Sequence, residues 1–204
     1  MSNKYAIFIF LLLVSCYTYS QKGFKGAIFA GPLTSQVDGD NHAGYSKFGI
    51  NGGISVNFLF NDSWSFNTEI TYISKGSVKN DAKEGIYYRL KLHYIEIPLY
   101  ITYRSNRKKL KKYSFDLGGT IGYLFKAAED KDGYGDLDPD PEMNNFDYNA
   151  LAGVNWHIND YWKLGVRFQY SILPIRNVQG NPFKDVFNRG QYNNLFALNI
   201  FRYF

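Results

Sequence analysis

The segment between residues 129 and 142 is the most acidic part of the sequence. Its carboxylates are Glu129, Asp130, Asp132, Asp136, Asp138, Asp140 and Glu142. Asp130 and Asp132, and then Asp136 and Asp138, lie two positions apart near glycines, as the oxygen ligands of calcium loops do. The EF-hand pattern is not matched, however, because the closing glutamate is misplaced and Lys131 adds a cation. We therefore expect a solvated, mobile loop, and a calcium site at these four aspartates is the alternative.

Residues 104–112 form a second charged cluster, which is basic. It contains Arg104, Arg107, Lys108, Lys109, Lys111 and Lys112. At a membrane surface such side chains would bind anionic lipid headgroups, and they would equally suit peptidoglycan or an anionic protein. A short run of like charges is more often a solvated turn, which is the interpretation we favour.

Histidine is the residue most often used for acid–base chemistry, and the chain contains His42, His93 and His157. None of them has a nucleophile or a carboxylate in a recognisable local motif. We predict no catalytic residue, no cofactor and no dedicated metal site, so we do not expect an enzyme.

The elements that position these segments are β-strands, because the dominant hydrophobic pattern has a period of two. From Trp162 to Ile172, for example, every even position is apolar and the odd positions are not. Segments of this kind predict eight strands, at residues 23–31, 46–60, 64–76, 86–103, 113–126, 146–158, 161–172 and 191–204. Most of them exceed the ~10 tilted residues that cross a bilayer.

The connections between the segments alternate in length. Residues 61–63 and 159–160 are tight turns and 104–112 is slightly longer, whereas the long loops are 32–45, 77–85, 127–145 and 173–190. Short turns on one rim and long loops on the other are typical of outer-membrane barrels. The sequence therefore predicts an all-β fold, an eight-stranded antiparallel up-and-down transmembrane β-barrel with both termini on the short-turn, periplasmic side.

Aromatic residues cluster at the ends of these strands, in a chain that has 18 Tyr and 17 Phe. On the periplasmic side the ring would contain Phe60, Trp64, Tyr103, Tyr113, Trp156, Trp162 and Phe204. On the outer side it would contain Phe48, Tyr72, Tyr88, Phe125, Phe146, Tyr170 and Tyr192. Two such girdles are expected where strands enter and leave a membrane.

Ionisable side chains alternate onto the inward face. By parity they are Lys47, Glu69, Asp116, Lys163 and Arg167. The side on which Arg89, Lys91 and Glu96 lie depends on the fourth strand, whose apolar face changes parity near Tyr94, as a β-bulge would explain. An eight-stranded barrel is only wide enough for side chains to fill, so these charges must pair. We predict a structural salt-bridge plug, and a gated ion path is the alternative.

Residues 1–20 have the proportions of a signal peptide, with an apolar core at 6–14 and a cleavage site at Thr18-Tyr19-Ser20. The predicted organisation is a signal peptide, 1–20, and a barrel domain, 21–204. The one cysteine, Cys16, ends a sequence that resembles a lipobox, so a lipidated Cys16 is the alternative to ordinary cleavage. Beyond this segment no run approaches the ~20 apolar residues of a membrane helix.

Short motifs are distributed over most of residues 21–204. They are Phe24-Lys25-Gly26, the stretch 35–40 in the first loop, Gly44-Tyr45, Trp64-Ser65-Phe66, Glu69-Ile70, Lys75-Gly76-Ser77 and, most distinctively, Tyr94-Ile95-Glu96-Ile97-Pro98-Leu99-Tyr100. Together they resemble the PorT-like family of outer-membrane β-barrels, an outer membrane protein beta-barrel domain. The resemblance implies the fold and the location, and it implies no activity.

These observations predict an integral protein of the cell outer membrane, in the envelope of a Gram-negative bacterium. Its role would be structural, binding or secretion-accessory, carried by long extracellular loops and without a wide pore. The expected partners are outer-membrane lipids, the barrel assembly machinery and other envelope or secretion proteins, with no nucleic acid. Two alternatives are a secreted lipocalin-like barrel with an apolar interior, because periodicity does not distinguish inside from outside, and a lipid-modifying enzyme.

Overall fold

The computed structural model describes residues 23–40, 44–81, 86–108, 110–131, 133–176 and 190–204. The predicted signal peptide (residues 1–20), Cys16 and His42 lie outside these residues. Eight strands are present: β1 (Phe24–Asp38), β2 (Lys47–Leu59), β3 (Trp64–Asp81), β4 (Ile86–Arg104), β5 (Tyr113–Lys131), β6 (Phe146–His157), β7 (Trp162–Ser171) and β8 (Tyr192–Tyr203). The predicted number of strands is confirmed.

Three strands are longer than predicted. The expected ends at residues 31, 76 and 126 move to Asp38, Asp81 and Lys131, so that the loops after β1, β3 and β5 are shorter than expected. In particular, residues 35–38 belong to β1 and not to a loop, because they continue its pairing with β8 as far as Asp38 and Tyr192.

All eight strands pair antiparallel with their neighbours, and β8 pairs with β1 to close the barrel. The tight turns after β2 and β6 are stabilised by the same hydrogen-bond arrangement. The Asn61 side-chain oxygen accepts from the amides of Ser63 and Trp64 at 2.9 and 3.0 Å. The Asn159 side-chain oxygen accepts in the same way from the amides of Tyr161 and Trp162. An asparagine that bonds its own backbone two and three residues on stabilises such a turn. These turns define the short-turn rim, and the opposite end is the long-loop rim.

Apolar side chains cover the outer surface of the barrel. Ile54, Leu117 and Val166 are 54%, 72% and 51% exposed, whereas the alternating polar residues, such as Asp116 and Arg167, point inward and are buried. A soluble ligand-binding barrel has the opposite polarity, so the lipocalin-like alternative is wrong. No helix in the described residues is long and apolar enough to cross a membrane.

The interior has an apolar part towards the long-loop rim. There a cluster of buried side chains comes mainly from β1, β3, β4, β5 and β8. Its members are Leu33, Val37, Ile73, Tyr88, Leu90, Leu92, Tyr94, Leu124, Ile175, Leu195 and Ala197. Tyr88, predicted for the outer girdle, is therefore inside, because the even positions of β4 face inward along its whole length.

The expected change of parity in β4 does not occur. Leu92, Tyr94 and Glu96 are all buried, so the strand keeps its orientation. The inward-facing residues of β4 are apolar near the long-loop rim, where they join the hydrophobic cluster, and polar towards the short-turn rim. The apolar residues therefore move from the inner to the outer face of the strand, although the strand itself does not turn over. The bulge lies instead in β5, where the pairing skips Phe125 opposite the His93–Tyr94 step.

Candidate functional site

Glu69 and Arg167 form a bidentate ion pair inside the barrel, where β3 and β7 face each other. The two terminal nitrogens of Arg167 donate to Glu69 Oε2 and Oε1 at 2.8 and 2.9 Å. The Tyr100 hydroxyl donates to Glu69 Oε1 at 2.5 Å, and the Tyr100 ring centroid lies 5.1 Å from the guanidinium carbon. All three side chains are buried, so this carboxylate is satisfied by protein donors.

A second network surrounds Lys75, nearer the long-loop rim. Lys75 Nζ lies 2.5 Å from Glu96 Oε1 and 3.1 Å from Asp147 Oδ2, and all three side chains are fully buried. Asp147 also accepts from Ser171 Oγ at 2.7 Å and from Asn193 Nδ2 at 2.8 Å. The network therefore connects β3, β4, β6, β7 and β8 across the lumen.

The inward positions predicted for Glu69, Asp116, Lys163 and Arg167 are confirmed, since all four are buried, and Glu96, whose side depended on the parity of β4, is buried as well. Three other candidates lie elsewhere. Lys47 is half-buried at the long-loop rim, with its amine donating to the Phe48 carbonyl at 2.8 Å, whereas Arg89 and Lys91 lie on the outer side of β4. Because β4 keeps its parity, its odd residues face outward.

Sequence reasoning missed Lys75 and Asp147, although a signal was present. Lys75 has the same parity as Glu69 in β3, and Asp147 lies between the outward-facing Phe146 and Tyr148. Strict alternation would have placed both inside the barrel.

The long-loop rim contains a third buried ion pair. Arg176 donates to both oxygens of Glu129 at 3.1 and 3.2 Å, and the Tyr88 hydroxyl donates to Glu129 at 2.7 Å. The backbones of Glu129 and Leu137 exchange two hydrogen bonds, and the Gln191 amide donates to the Arg176 carbonyl. The acidic segment and the chain that follows β7 are thereby attached to the top of β4 and β5.

The acidic segment is also held by cations on β4. Lys91 Nζ donates to Asp136 Oδ2 at 2.6 Å, and Arg89 lies 3.4 Å from Asp136 Oδ1 and 3.5 Å from Asp130 Oδ2. The hydrogen bond from Lys91 holds the pKa of the Asp136 carboxyl below its ordinary value. The segment is therefore docked on the barrel wall through ion pairs, whereas a solvated loop was expected.

The four aspartates of the calcium hypothesis do not share one environment. Asp132 lies outside the described residues, Asp138 is exposed, and Asp130 and Asp136 contact Arg89. Within the described part of the chain no three His, Cys, Asp or Glu side chains are placed to hold a metal. Calcium binding at these four aspartates stays an untested alternative.

The basic segment forms the turn between β4 and β5 at the short-turn rim. Arg107, Lys108, Lys111 and Lys112 are exposed there, and Arg104 Nε donates to the Lys111 carbonyl at 2.9 Å. Lys109 lies outside the described residues.

Two of the histidines have hydroxyl partners. His93 Nδ1 lies 2.8 Å from the Tyr72 hydroxyl on the outer surface, and His157 Nε2 lies 3.0 Å from Ser114 Oγ near the short-turn rim. Among the described residues no carboxylate forms an ion pair with His157, so the group that would orient a catalytic base is not part of this arrangement.

Aromatic side chains point outward at both edges of the apolar surface. Trp64 and Trp156 are 45% and 43% exposed near the short-turn rim, and Phe48 and Phe125 are 79% and 50% exposed towards the other. Together with the apolar outer surface and the ion-paired lumen, these girdles define a small outer-membrane β-barrel.

A family model described as "Outer membrane protein beta-barrel domain" matches residues 15–177, and the chain belongs to this family. The protein is therefore located in the outer membrane. No curated protein sequence matches the chain.

Solved structures share the fold at low sequence identity. The attachment invasion locus protein Ail of Yersinia pestis, in complex with the heparin analogue sucrose octasulfate, has a TM-score of 0.52 and 13% identity, over 89% of this chain and 99% of Ail. Neisserial surface protein A has a TM-score of 0.48 and 16% identity, over 89% of this chain and 97% of the other. OprG of Pseudomonas aeruginosa has a TM-score of 0.44 and 11% identity, over 89% and 96%.

Proposed function

We propose that this protein is a binding barrel with a closed lumen, whose working surface is the long-loop rim. The observation that carries the proposal is the contrast between the filled lumen and the strands that form the long-loop rim. Buried ion pairs and the hydrophobic cluster occupy the lumen, whereas β1, β3, β4 and β5 extend past the Lys75 and Glu69 ion pairs to the rim. An ion path would have to separate these pairs, and each separation would leave a buried charge uncompensated.

The docked acidic segment presents two apolar side chains at this rim. Tyr134 is 91% exposed, and Leu137, which lies between Asp136 and Asp138 in the sequence, is 69% exposed. The backbone of Leu137 is held in place by its antiparallel bridge to Glu129 at the end of β5. Exposed aromatic and aliphatic side chains on an ordered base suit the centre of a protein interface, because little ordering entropy remains to be lost on binding.

The closed lumen is tested by conductance. Purified protein in planar bilayers should give no large, steady channel, and reproducible nanosiemens-scale currents would overturn this half of the proposal.

The binding surface is tested by photo-crosslinking on intact cells. A photoreactive amino acid in place of Tyr134 should give a discrete adduct with one macromolecule, and Leu137→Ser should remove that adduct while the folded barrel persists. The matched control carries the same group in place of Leu117 on the outer surface, where only lipid is expected. Absence of an adduct at position 134, or an adduct indifferent to Leu137→Ser, would exclude this surface.

Two further partners follow from the same location. Outer-membrane lipids would surround the apolar outer surface, and the barrel assembly machinery would handle β8 during insertion. The PorT-like resemblance supports a narrower alternative, a secretion-accessory role with envelope or secretion proteins as partners. A deletion strain that secretes its full set of exported proteins would exclude that role.

A further inference from the structure

A polar cavity of about 100 Å³ opens at the short-turn rim, on the opposite side of the membrane from the proposed binding surface. It lies between the turn after β2 and the start of β7. Its lining includes Lys25, Trp64, Arg104, His157, Lys163 and Tyr203.

Lys163 is the buried cation of this cavity. It is 2% exposed, and its Nζ lies 3.9 Å from the centroid of the Phe201 ring and 5.7 Å from that of Tyr203. Among the residues that the structure describes, no carboxylate oxygen lies within 4.0 Å of this amine. The Tyr203 hydroxyl lies beside this amine.

The other cations buried in the lumen are paired differently. Lys75 contacts two carboxylates and Arg167 makes a bidentate pair with Glu69. The carboxylates whose fields reach Lys163 are Asp116 and Glu69, and neither lies within ion-pair distance of its amine. Asp116 accepts a hydrogen bond from Thr102 at 2.7 Å, and Glu69 is paired with Arg167. A buried ammonium is costly unless an anion compensates it, and an aromatic face supplies only part of that compensation.

Further donors converge on the same space. Lys25 and Arg104 line the cavity nearer its mouth, and the imidazole of His157 lies on its wall beside Ser114. The carboxylates of the lining, Asp62 and Asp160, belong to the exposed turns at the rim. The buried charge of this lining is therefore the cation Lys163, and the cavity opens at the rim that we expect to face the periplasm.

We propose that this cavity binds a small oxyanion, a phosphate or carboxylate group presented from the periplasmic side, with Lys163 as its central donor. Lys25 and Arg104 would attract the anion at the mouth, and Lys163 would donate to it at the base. The site does not involve the long-loop rim, so its failure and that of the proposed function are separable.

Trp64 provides a reporter beside the cavity, because this first residue of β3 contributes to the lining while its indole belongs to the outward-facing girdle at the same rim. In a Trp156→Phe, Trp162→Phe background it is the remaining tryptophan, since the chain has three. Inorganic phosphate, titrated at constant ionic strength into the folded protein in phosphatidylcholine nanodiscs, should change Trp64 emission saturably. Acetate in a parallel titration tests the carboxylate.

Lys163→Met should weaken the response at least tenfold, and the matched control Lys126→Met, an exposed cation at the other end of the barrel, should leave it unchanged. Heat-modifiable gel migration verifies folding. If Lys163→Met does not fold, Lys25→Met and Arg104→Met replace it, each with a several-fold loss expected. A response that is absent for both anions, or unaffected by these substitutions, would overturn the proposal.

Phosphatidylglycerol in the nanodiscs distinguishes the sources of the anion. If a lipid headgroup occupies the cavity, its inclusion should raise the phosphate concentration needed for half-saturation. If that concentration does not change, the site takes a soluble oxyanion. Either result supports the site, provided that the response requires Lys163.

Discussion

Removing one partner of the Glu69–Arg167 pair should destabilise the barrel far more than removing both. Arg167→Met deletes the two hydrogen bonds of 2.8 and 2.9 Å and leaves Glu69 buried with the Tyr100 hydroxyl as its main donor. Breaking a buried pair in this way costs about 3–5 kcal/mol. Glu69→Gln leaves the guanidinium uncompensated and should cost a similar amount.

The double variant Glu69→Gln, Arg167→Met removes both charges and should recover much of the loss. For the double variant to be more stable than either single variant, the coupling energy must exceed the cost of one single substitution. It should therefore be about 3 kcal/mol or more, at the upper end of the range measured for residues of one network. The assay is urea unfolding of the protein folded into phospholipid vesicles, followed by tryptophan emission and by gel migration without boiling. Glu142→Gln, an exposed carboxylate on the acidic segment, is the control and should change stability by less than about 0.5 kcal/mol.

If each single substitution costs less than about 1 kcal/mol and the two costs add, Glu69 and Arg167 behave as a solvent-exposed ion pair. The lumen would then contain enough water to screen it, and the argument for a closed lumen would fail.

Four other predictions concern the N-terminus and the last strand. Mass spectrometry of membrane-extracted protein should show a mature N-terminus at Gln21, and an acylated Cys16 would contradict ordinary cleavage. Leu198→Arg puts a charge on the lipid-facing side of β8 and should reduce the membrane-inserted, heat-modifiable form, since a midplane arginine costs roughly 2–4 kcal/mol. Arg202→Leu should be tolerated, because this guanidinium lies over the Tyr161 ring at 4.9 Å, close to the rim. A loss of insertion as large as that of Leu198→Arg would contradict the expectation that charge is costly only away from the rim. Deletion of Tyr203–Phe204 should lower insertion and leave protein to aggregate or be degraded in the periplasm, and normal secretion of the truncated protein as a soluble species would contradict a role of β8 in assembly.

The architecture could be predicted from sequence because alternation is a local property. Ile54, Leu117 and Val166 each belong to an alternating pattern that predicts an apolar face of their own strand. The asparagines Asn61 and Asn159 indicate the turns at which the chain reverses direction. Eight such strands on alternating short and long connections leave a closed barrel as the simplest arrangement without free edges.

The interior could be predicted only in part. Parity placed Glu69 and Arg167 inside, but their pairing joins residues 98 positions apart and depends on which strands face each other across the lumen. The same holds for Lys75 with Asp147, and for Lys163, whose lack of a nearby carboxylate among the described residues is visible only when the neighbouring strands are in place.

The extent of the strands at the long-loop rim was likewise decided by tertiary structure. Asp38 continues β1 because β8 is beside it, and Glu129 is buried because Arg176 arrives from the segment after β7. Neither residue carries a local strand signal, and charge alone suggested a loop. The sequence by itself determined the number of strands and the alternation of apolar and polar residues along each, since these depend on neighbours along the chain, whereas the exposures in the folded barrel decided which face points outward. Only the closed barrel decided which charges meet and which cation faces an open cavity, because those contacts join strands that are distant in sequence.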